Sequence, residues 1–554
     1  MSFKSLTKEL ITTIHDLIVH PYGHFDYPPV QEQGHASLAC ISREWQSVVE
    51  AHNFRRITIR HQSDLVETAQ IITPARAKLV SELNVNIQLD AYDEEARRRV
   101  ETEEEQQKNS EVFTKGVRDL FEIVKDWDRE GYHGLDLRLF VWSPSDIDRL
   151  EAEEQEALVK RLAFSPVRRY ERSLIRYLDD PEELPALERV SWFKLQEGLS
   201  RGIQGRNTYR TVDPETAGLL VEKCRRSLDY LSLNLMDWPR GAVEERKRRR
   251  KVFAGVLDKL PPRVSNLSVV YWGSAPRDEE YDPPNLLDEG EEEDALSISL
   301  RRCYMRSKPT HFSVSMTILG VEFYRPPTRA DKGFYRRESD EDDDGEEEES
   351  DDKDKEDRDS DYDEFWGRDG GCSDDDGRPC SELTDLVADW PKVNPDGRWL
   401  YRRPDEEGAW EEWDYRHRDA LASNDAGGIL PADPDPELDH PAYANKYRFR
   451  LEGDPELFTP LMMNMARLMR RMPALSILEW RDVDQSQDRA RQIEWCTNFN
   501  EGGGDLTFHG FGQYDDDGDL IETEEPPIDG EVIELFREML SARKPEGEVI
   551  IEFQ

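Results

Sequence analysis

Short apolar strands alternate with helical stretches along most of the chain from about residue 80 onward. Several strands follow the pattern L-x-x-L-x-L or V-x-x-L-x-V, which is typical of a sheet with one buried face. The predicted strands are Leu83–Leu89, Leu135–Trp142, Val190–Leu195, Leu228–Leu235, Val264–Trp272, His311–Tyr324, Leu475–Trp480, Asp505–Phe511 and Glu548–Phe553. The predicted helices between them are Val112–Trp127, Ile147–Arg161, Glu215–Leu228, Ala242–Leu260, Leu457–Arg471 and Glu531–Ala542.

Strands separated by helices predict parallel pairing, because a parallel connection needs a crossover. One strand and one helix per unit, at a spacing of roughly 30–50 residues, favour an irregular leucine-rich-repeat-like α/β solenoid. The Asn or Cys that marks such repeats does not recur at a fixed position. A closed or open α/β sheet without curvature is therefore the alternative.

Two apolar helices are predicted before this region. The first has apolar residues at helical spacing, namely Leu6, Leu10, Ile14, Leu17 and Ile18, and the second has Leu38, Ile41, Trp45, Val48 and Val49. Ser5 or Thr7 is expected to cap the first helix, with Glu9 in its first turn. Two helices of this size bury little surface and need a body or a partner to pack on. A small helical cap on the following domain is one interpretation.

The order of residues in this segment resembles an F-box. Leu6-Thr7-Lys8-Glu9 stands where the family opens a helix with Leu-Pro-x-Glu, and Ile41-Ser42-Arg43-Glu44-Trp45 matches its hydrophobic-Ser-Arg-x-Trp signature. Phe54 then leads into the first strand. Thr7 replaces the family's Pro, and residues 20–34 form a longer, Pro-rich link. The chain as a whole resembles F-box-like proteins of filamentous fungi, in which an irregular leucine-rich-repeat-like region follows the F-box.

The resemblance implies a protein–protein interaction adaptor with no enzymatic activity. It would be the substrate receptor of an SCF-type cullin–RING ubiquitin ligase, bound to the Skp adaptor and to an unknown protein substrate. The residues that match the adaptor-binding pattern are Leu6, Glu9, Leu10, Ile14, Leu38, Ile41, Ser42 and Trp45. The alternative is a ligase-independent scaffold, or a chaperone-like protein whose acidic tract binds basic partners.

The 554 residues are divided by pattern into four regions. Residues 1–60 are the F-box-like module and 61–335 the leucine-rich-repeat-like α/β region. Residues 336–382 form an acidic insertion, and 383–554 contain an aromatic hairpin and the continuation of the α/β region.

Charge limits the classes of partner. The net charge of −46 argues against nucleic-acid binding, because phosphates would repel the chain. Between Glu338 and Glu364 there are 19 acidic against three basic residues, so this segment is expected to be disordered, either as a solubilising loop or as a tail that contacts basic partners. The sequence contains no run of 18 apolar residues, so no membrane helix is predicted, and no secretory signal is recognisable. Six scattered cysteines suggest reduced thiols and a cytoplasmic or nuclear protein.

Three further motifs have a functional and a structural interpretation. Arg246–Lys251 is either a nuclear import signal or a solvated helix face. Residues 513–524 have calcium-loop spacing, but Gln513 replaces the first Asp, so an acidic turn is favoured. The Met-rich helix around Met465 is expected to be core. No catalytic signature, cofactor motif or metal-ligand spacing is present, so no cofactor and no metal are predicted.

Overall fold

A computed structural model describes most of the N-terminal 325 residues and separate segments after them. The described residues are 7–19, 37–97, 99–127, 134–146, 173–196, 210–237, 242–261, 263–272, 283–306, 309–315, 317–325, 383–389, 393–398, 400–402, 452–453, 455–470, 477–481, 494–500, 503–508, 512–514, 520–523, 530, 533–535, 538 and 550–553. The acidic tract, the predicted helix Ile147–Arg161 and the second half of the predicted aromatic hairpin lie outside them.

Helices and strands alternate along the described chain. The helices are α1 (Lys8–Val19), α2 (Arg43–Asn53), α3 (Ser63–Ile71), α4 (Pro74–Ala77), α5 (Glu94–Arg97), α6 (Glu103–Lys125), α7 (Pro214–Lys223), α8 (Val243–Leu257), α9 (Ala295–Arg306) and α10 (Pro455–Arg470). The strands are β1 (Arg56–Ile59), β2 (Glu82–Gln88), β3 (Leu135–Trp142), β4 (Leu174–Ile175), β5 (Val190–Leu195), β6 (Thr211–Val212), β7 (Tyr230–Met236), β8 (Asn266–Trp272), β9 (His311–Ser315), β10 (Asp385–Asp389), β11 (Tyr401–Arg402), β12 (Glu452–Gly453), β13 (Ile477–Arg481), β14 (Glu494–Asn500), β15 (Gly503–Phe508), β16 (Gly512–Tyr514), β17 (Leu520–Thr523) and β18 (Ile550–Phe553).

One twelve-stranded sheet organises the chain, and its strands stand side by side in chain order. The order is β1-β2-β3-β5-β7-β8-β9-β10-β13-β14-β15-β18. Pairing is parallel from β1 to β13 and again between β15 and β18. The sheet is open, with β1 and β18 at its edges. The predicted α/β class with a mostly parallel sheet is therefore confirmed, and a closed sheet is excluded.

All nine predicted strands begin within two residues of an observed strand, and Leu135–Trp142 and Val190–Leu195 match at both ends. The prediction that His311–Tyr324 is one strand is wrong. The strand ends at Ser315, and Val321–Tyr324 forms a 3-10 turn. Residues 317–320 are all buried, so the alternation that a half-exposed strand requires stops there.

Pairing is not parallel throughout. Strands β13 and β14 are antiparallel, and so are β14 and β15. Asn500 pairs with Gly503, so only two residues join β14 to β15, and a link of that length permits only antiparallel pairing. The sequence pattern did not predict β10 or β14.

The apolar faces of the strands and helices form one core. Strand β2 buries Leu83, Val85 and Ile87, and α6 buries Phe113 and Leu120 in the same cluster. Helix α6 starts nine residues before its predicted start, because Thr102 caps it in a capping box with Glu105. The polar first turns carry no apolar stripe, so periodicity alone did not reveal them.

A hydroxyl or carboxylate residue immediately before successive strands joins neighbouring units. The Thr384 hydroxyl donates to the carbonyl oxygen of Thr310 (2.7 Å), and the Thr310 hydroxyl donates to that of Ser265 (3.3 Å). Ser265 in turn contacts the carbonyl oxygen of Asp229 at 3.3 Å. The position immediately before each of these four strands is therefore polar, and three of the four are Ser or Thr.

None of the described helices is both long enough and apolar enough to cross a membrane.

Candidate interaction surfaces

Helices α1 and α2 form an N-terminal module with its own small core. Ile11, Trp45, Val48 and Val49 are buried together in a cluster separate from the main one. Ile14, Leu38 and Ala39 pack against it. Ile11 and Ile14 therefore define the inward face of α1, whereas the sequence pattern placed Leu10 there.

Two apolar side chains of the module point outward. Leu10 is 46% exposed and Ile41 is 52% exposed. Each costs free energy when it is left in water, and exposed apolar groups of this size are candidate contacts for a partner.

The other predicted adaptor-binding residues divide between surface and core. Glu9 is exposed, Ile14 and Leu38 are half-buried, and Trp45 is buried. Ser42 caps α2 by accepting a hydrogen bond from the Trp45 backbone N–H at 3.3 Å. Leu6 lies outside the described residues.

The start of α1 is capped as predicted. The Thr7 hydroxyl accepts a hydrogen bond from the Leu10 backbone N–H at 3.4 Å. The backbone N–H of Glu9 and the Thr7 hydroxyl lower the pKa of the Glu9 carboxyl. Glu9 therefore places a negative charge at the helix N-terminus, where the macrodipole favours it.

Arg76 of α4 attaches the module to the α/β region. Its guanidinium donates to Glu50 of α2 at 3.0 Å and lies 4.7 Å from the centre of the Phe54 ring. The hydrogen bond from Arg76 lowers the pKa of Glu50.

The second surface is the polar face of the parallel sheet, opposite the apolar core; we call it the open face. Strand pairing fixes its rows. One row runs Glu82, Asp136, Trp192, Tyr230, Asn266, His311 and Asp385, and the next runs Asn84, Arg138, Lys194, Ser232, Ser268 and Ser313. Most of these side chains are half-buried, so they are ordered by neighbours but still accessible.

An ion-pair chain crosses the first strands of the open face. Arg56 contacts Glu82 at 2.7 Å, and Arg138 contacts Asp136 at 2.8 Å and Glu82 at 3.7 Å. Burial opposes ionisation of Glu82, but hydrogen bonds from Asn84 and Arg56 outweigh it and lower the pKa. The two neighbouring carboxylates, Glu82 and Asp136, are thus held together by Arg138 between them.

The row of ion pairs on the open face is followed, on strands β5 and β7, by a cluster of two aromatic rings and a lysine. The rings of Trp192 and Tyr230 stack with centroids 5.0 Å apart, and Lys194 Nζ lies 4.8 Å from the Tyr230 ring centre. Trp192 is still 42% exposed. A large, accessible aromatic side chain fixed by its neighbours is the kind of residue that dominates protein interfaces. The alternation of the strands indicated which residues share the polar face, but it did not show which residues of neighbouring strands stand side by side.

Half of the basic run on α8 is inside the protein. Arg246, Arg249 and Arg250 are buried and pair with Asp237, Glu245 and Asp294. The expected solvated helix face is therefore wrong for these three arginines and holds for Arg248 and Lys251, which are exposed.

The Met-rich helix α10 is core, as predicted. Leu461, Met462 and Met465 are buried in the main cluster. In the calcium-like segment, Gln513 pairs with Glu522 in the antiparallel β16–β17 ribbon, as expected of an acidic turn. Within the described ranges, no group of three or more His, Cys, Asp or Glu side chains is placed to hold a metal ion.

No protein-family model matches the chain, and no curated protein matches it either.

Proposed function

We propose that this protein is the substrate receptor of an SCF-type cullin–RING ubiquitin ligase. The N-terminal module would bind the Skp adaptor, and the α/β region would hold an unknown protein substrate on its open face. The observation that carries the proposal is the exposure of Leu10 and Ile41 on a two-helix module that has its own core. It adds to the F-box-like residue order of this segment.

Within this proposal, the eight pattern residues have different roles. Leu10 and Ile41 supply apolar contact to the adaptor, with Glu9 beside them. Ile14, Leu38 and Trp45 keep the module packed, and Ser42 starts α2. Leu6 completes the pattern.

The α/β region would be an irregular leucine-rich-repeat-like solenoid. Its strands stand in chain order, and a polar residue before successive strands bonds to the preceding unit. Both features are expected when each unit packs only on its neighbours. Such a region offers a long face on which successive strands each contribute side chains, with Trp192 as the principal anchor.

The proposed mechanism is proximity and involves no chemistry by this chain. Holding a substrate beside the ubiquitin-loading machinery converts a bimolecular encounter into an intramolecular one and raises the effective concentration.

Co-purification of the full chain with the Skp adaptor tests the proposal. Wild type is expected to capture the adaptor stoichiometrically, and a Leu10→Asp/Ile41→Asp variant is expected to lose it. Val66→Asp is the matched control, because Val66 is 64% exposed on α3, outside the module. Failure of wild type to capture the adaptor would refute the proposal, as would capture by the double variant.

A further inference from the structure

A cluster of arginines lies where the parallel sheet ends against α8. Arg246, Arg249 and Arg250 are 3%, 3% and 2% exposed. Asp237 follows the last residue of β7, and Tyr271 is the penultimate residue of β8. The cluster therefore lies at the carboxyl ends of two neighbouring parallel strands.

Three hydrogen-bond donors in this cluster lack an acceptor in the part of the chain that the structure describes. Arg249 Nη1, Arg250 Nη1 and the Tyr271 hydroxyl are buried and have no hydrogen-bond partner among the described residues. Burial raises the pKa of Tyr271, so its hydroxyl keeps its proton and can donate. Buried donors are almost always paired, so these three call for an acceptor that the described residues do not supply.

The acids nearby are already engaged. Asp237 takes two hydrogen bonds from Arg246, at 3.0 and 2.9 Å. Asp294 is bonded to Arg250 (2.7 Å) and to the Ser297 hydroxyl (2.6 Å). Asp294 also accepts a hydrogen bond from the Ser297 backbone N–H at 2.8 Å, and neither carboxylate is hydrogen-bonded to any of the three donors.

Three guanidinium groups surround the Tyr271 hydroxyl. Arg246, Arg249 and Arg250 all act on it electrostatically, together with the Asp237 carboxylate. A ligand with acceptor oxygens and negative charge would accept hydrogen bonds from the unpaired donors and would be stabilised by these cations.

We propose that Arg249, Arg250 and Tyr271 form a site for a tetrahedral oxyanion of the phosphate type. The site is separate from both interaction surfaces and does not depend on the ligase proposal. A bound anion would join α8 to β8 and to the segment that carries Asp294, and would stabilise the middle of the α/β region.

Thermal unfolding of the full chain in inorganic phosphate, against chloride at equal ionic strength and pH, tests the site. Because a ligand that binds only the folded state stabilises it, phosphate is expected to raise the Tm of wild type with the logarithm of its concentration above Kd. Arg249→Gln is expected to remove most of that shift. Tyr271→Phe, which keeps the ring that stacks on Phe253 at 5.2 Å, is expected to weaken apparent phosphate affinity by about tenfold.

Lys251→Gln is the matched control. Lys251 is a cation of the same helix, but its side chain is 71% exposed and pairs with Asp288, so this variant should keep the full shift. Absence of a phosphate shift in wild type would overturn the proposal. If phosphate raised the Tm of Tyr271→Phe as much as that of wild type, the proposal would also be overturned. The Tyr271→Phe result decides the question if Arg249→Gln does not fold.

Discussion

Arg246 and Asp237 form a buried, two-pronged ion pair that joins α8 to the end of β7. Arg246 Nε lies 3.0 Å from Asp237 Oδ1 and Nη2 lies 2.9 Å from Oδ2, with side chains 3% and 0% exposed. A basic run that looks like a surface signal in the sequence therefore contributes to the interior.

Breaking this pair should destabilise the α/β region strongly. Arg246→Met leaves Asp237 charged and buried, and is expected to reduce the free energy of unfolding by about 3–5 kcal/mol. Urea denaturation measures this loss. Lys251→Gln, which removes an exposed pair on the same helix, should change it by less than about 1 kcal/mol. Equal effects of the two changes would contradict the structural role of Arg246.

Glu322 should make stability fall as pH rises. Burial, with Asp294 and Glu293 as further contributors, raises the pKa of this carboxyl from 4.5 to about 7. The folded state therefore binds a proton that the unfolded state has lost, so stability declines between about pH 4.5 and 7, by at most about 3 kcal/mol.

Glu322→Gln should remove this decline. The measurement is the difference in unfolding free energy between wild type and variant, from urea titrations at pH 5 and pH 7.5. Glu292→Gln, an exposed neighbour, is the control. A difference that does not change with pH would contradict the shifted pKa.

Trp45→Ala should unfold the N-terminal module without unfolding the sheet. Loss of a buried Trp costs about 3–5 kcal/mol, which exceeds what a core of four buried side chains can spare. Hydrogen exchange should accelerate in Arg43–Asn53 and stay slow in β3 and β7. Ile41→Asp should leave exchange unchanged in both regions, since Ile41 is already exposed. Faster exchange throughout the Trp45→Ala chain would show that the module is not separable.

Thr384→Val should weaken the contact between the units of β9 and β10. It removes the 2.7 Å bond to Thr310 while keeping shape, so about 1 kcal/mol of unfolding free energy should be lost. Thr58→Val on β1 is the matched control, because Thr58 is exposed in a strand. Equal shifts of the denaturation midpoint from wild type in the two variants would contradict a stabilising role for this polar position.

Deleting residues 338–364 should leave adaptor capture unchanged if the protein is a ligase receptor. The segment carries 19 acidic residues, so a scaffold that binds basic proteins would instead lose salt-sensitive binding. Pull-down with the adaptor and with a basic protein such as histone, at low and high salt, measures both. Loss of adaptor capture on this deletion would contradict the proposed division of roles.

The sequence by itself determined where nine of the strands begin, to within two residues, and that α10 is core. Strand alternation and helical spacing are local patterns, and burial of one face imposes them on each element separately. For this reason Leu135–Trp142 and Val190–Leu195 could be predicted at both ends, and Thr7 could be expected as a cap.

Only the tertiary structure decided which charged residues are buried and which residues of neighbouring strands stand side by side on the open face. Arg250 is buried because Asp294, 44 residues away in the chain, meets it, and no local pattern contains that distance. Trp192 and Tyr230 stack because β5 and β7 pair in one register among several that alternation allows. The outward position of Leu10 likewise follows from how α2 packs on α1, because both Leu10 and Ile11 satisfy a helical apolar spacing.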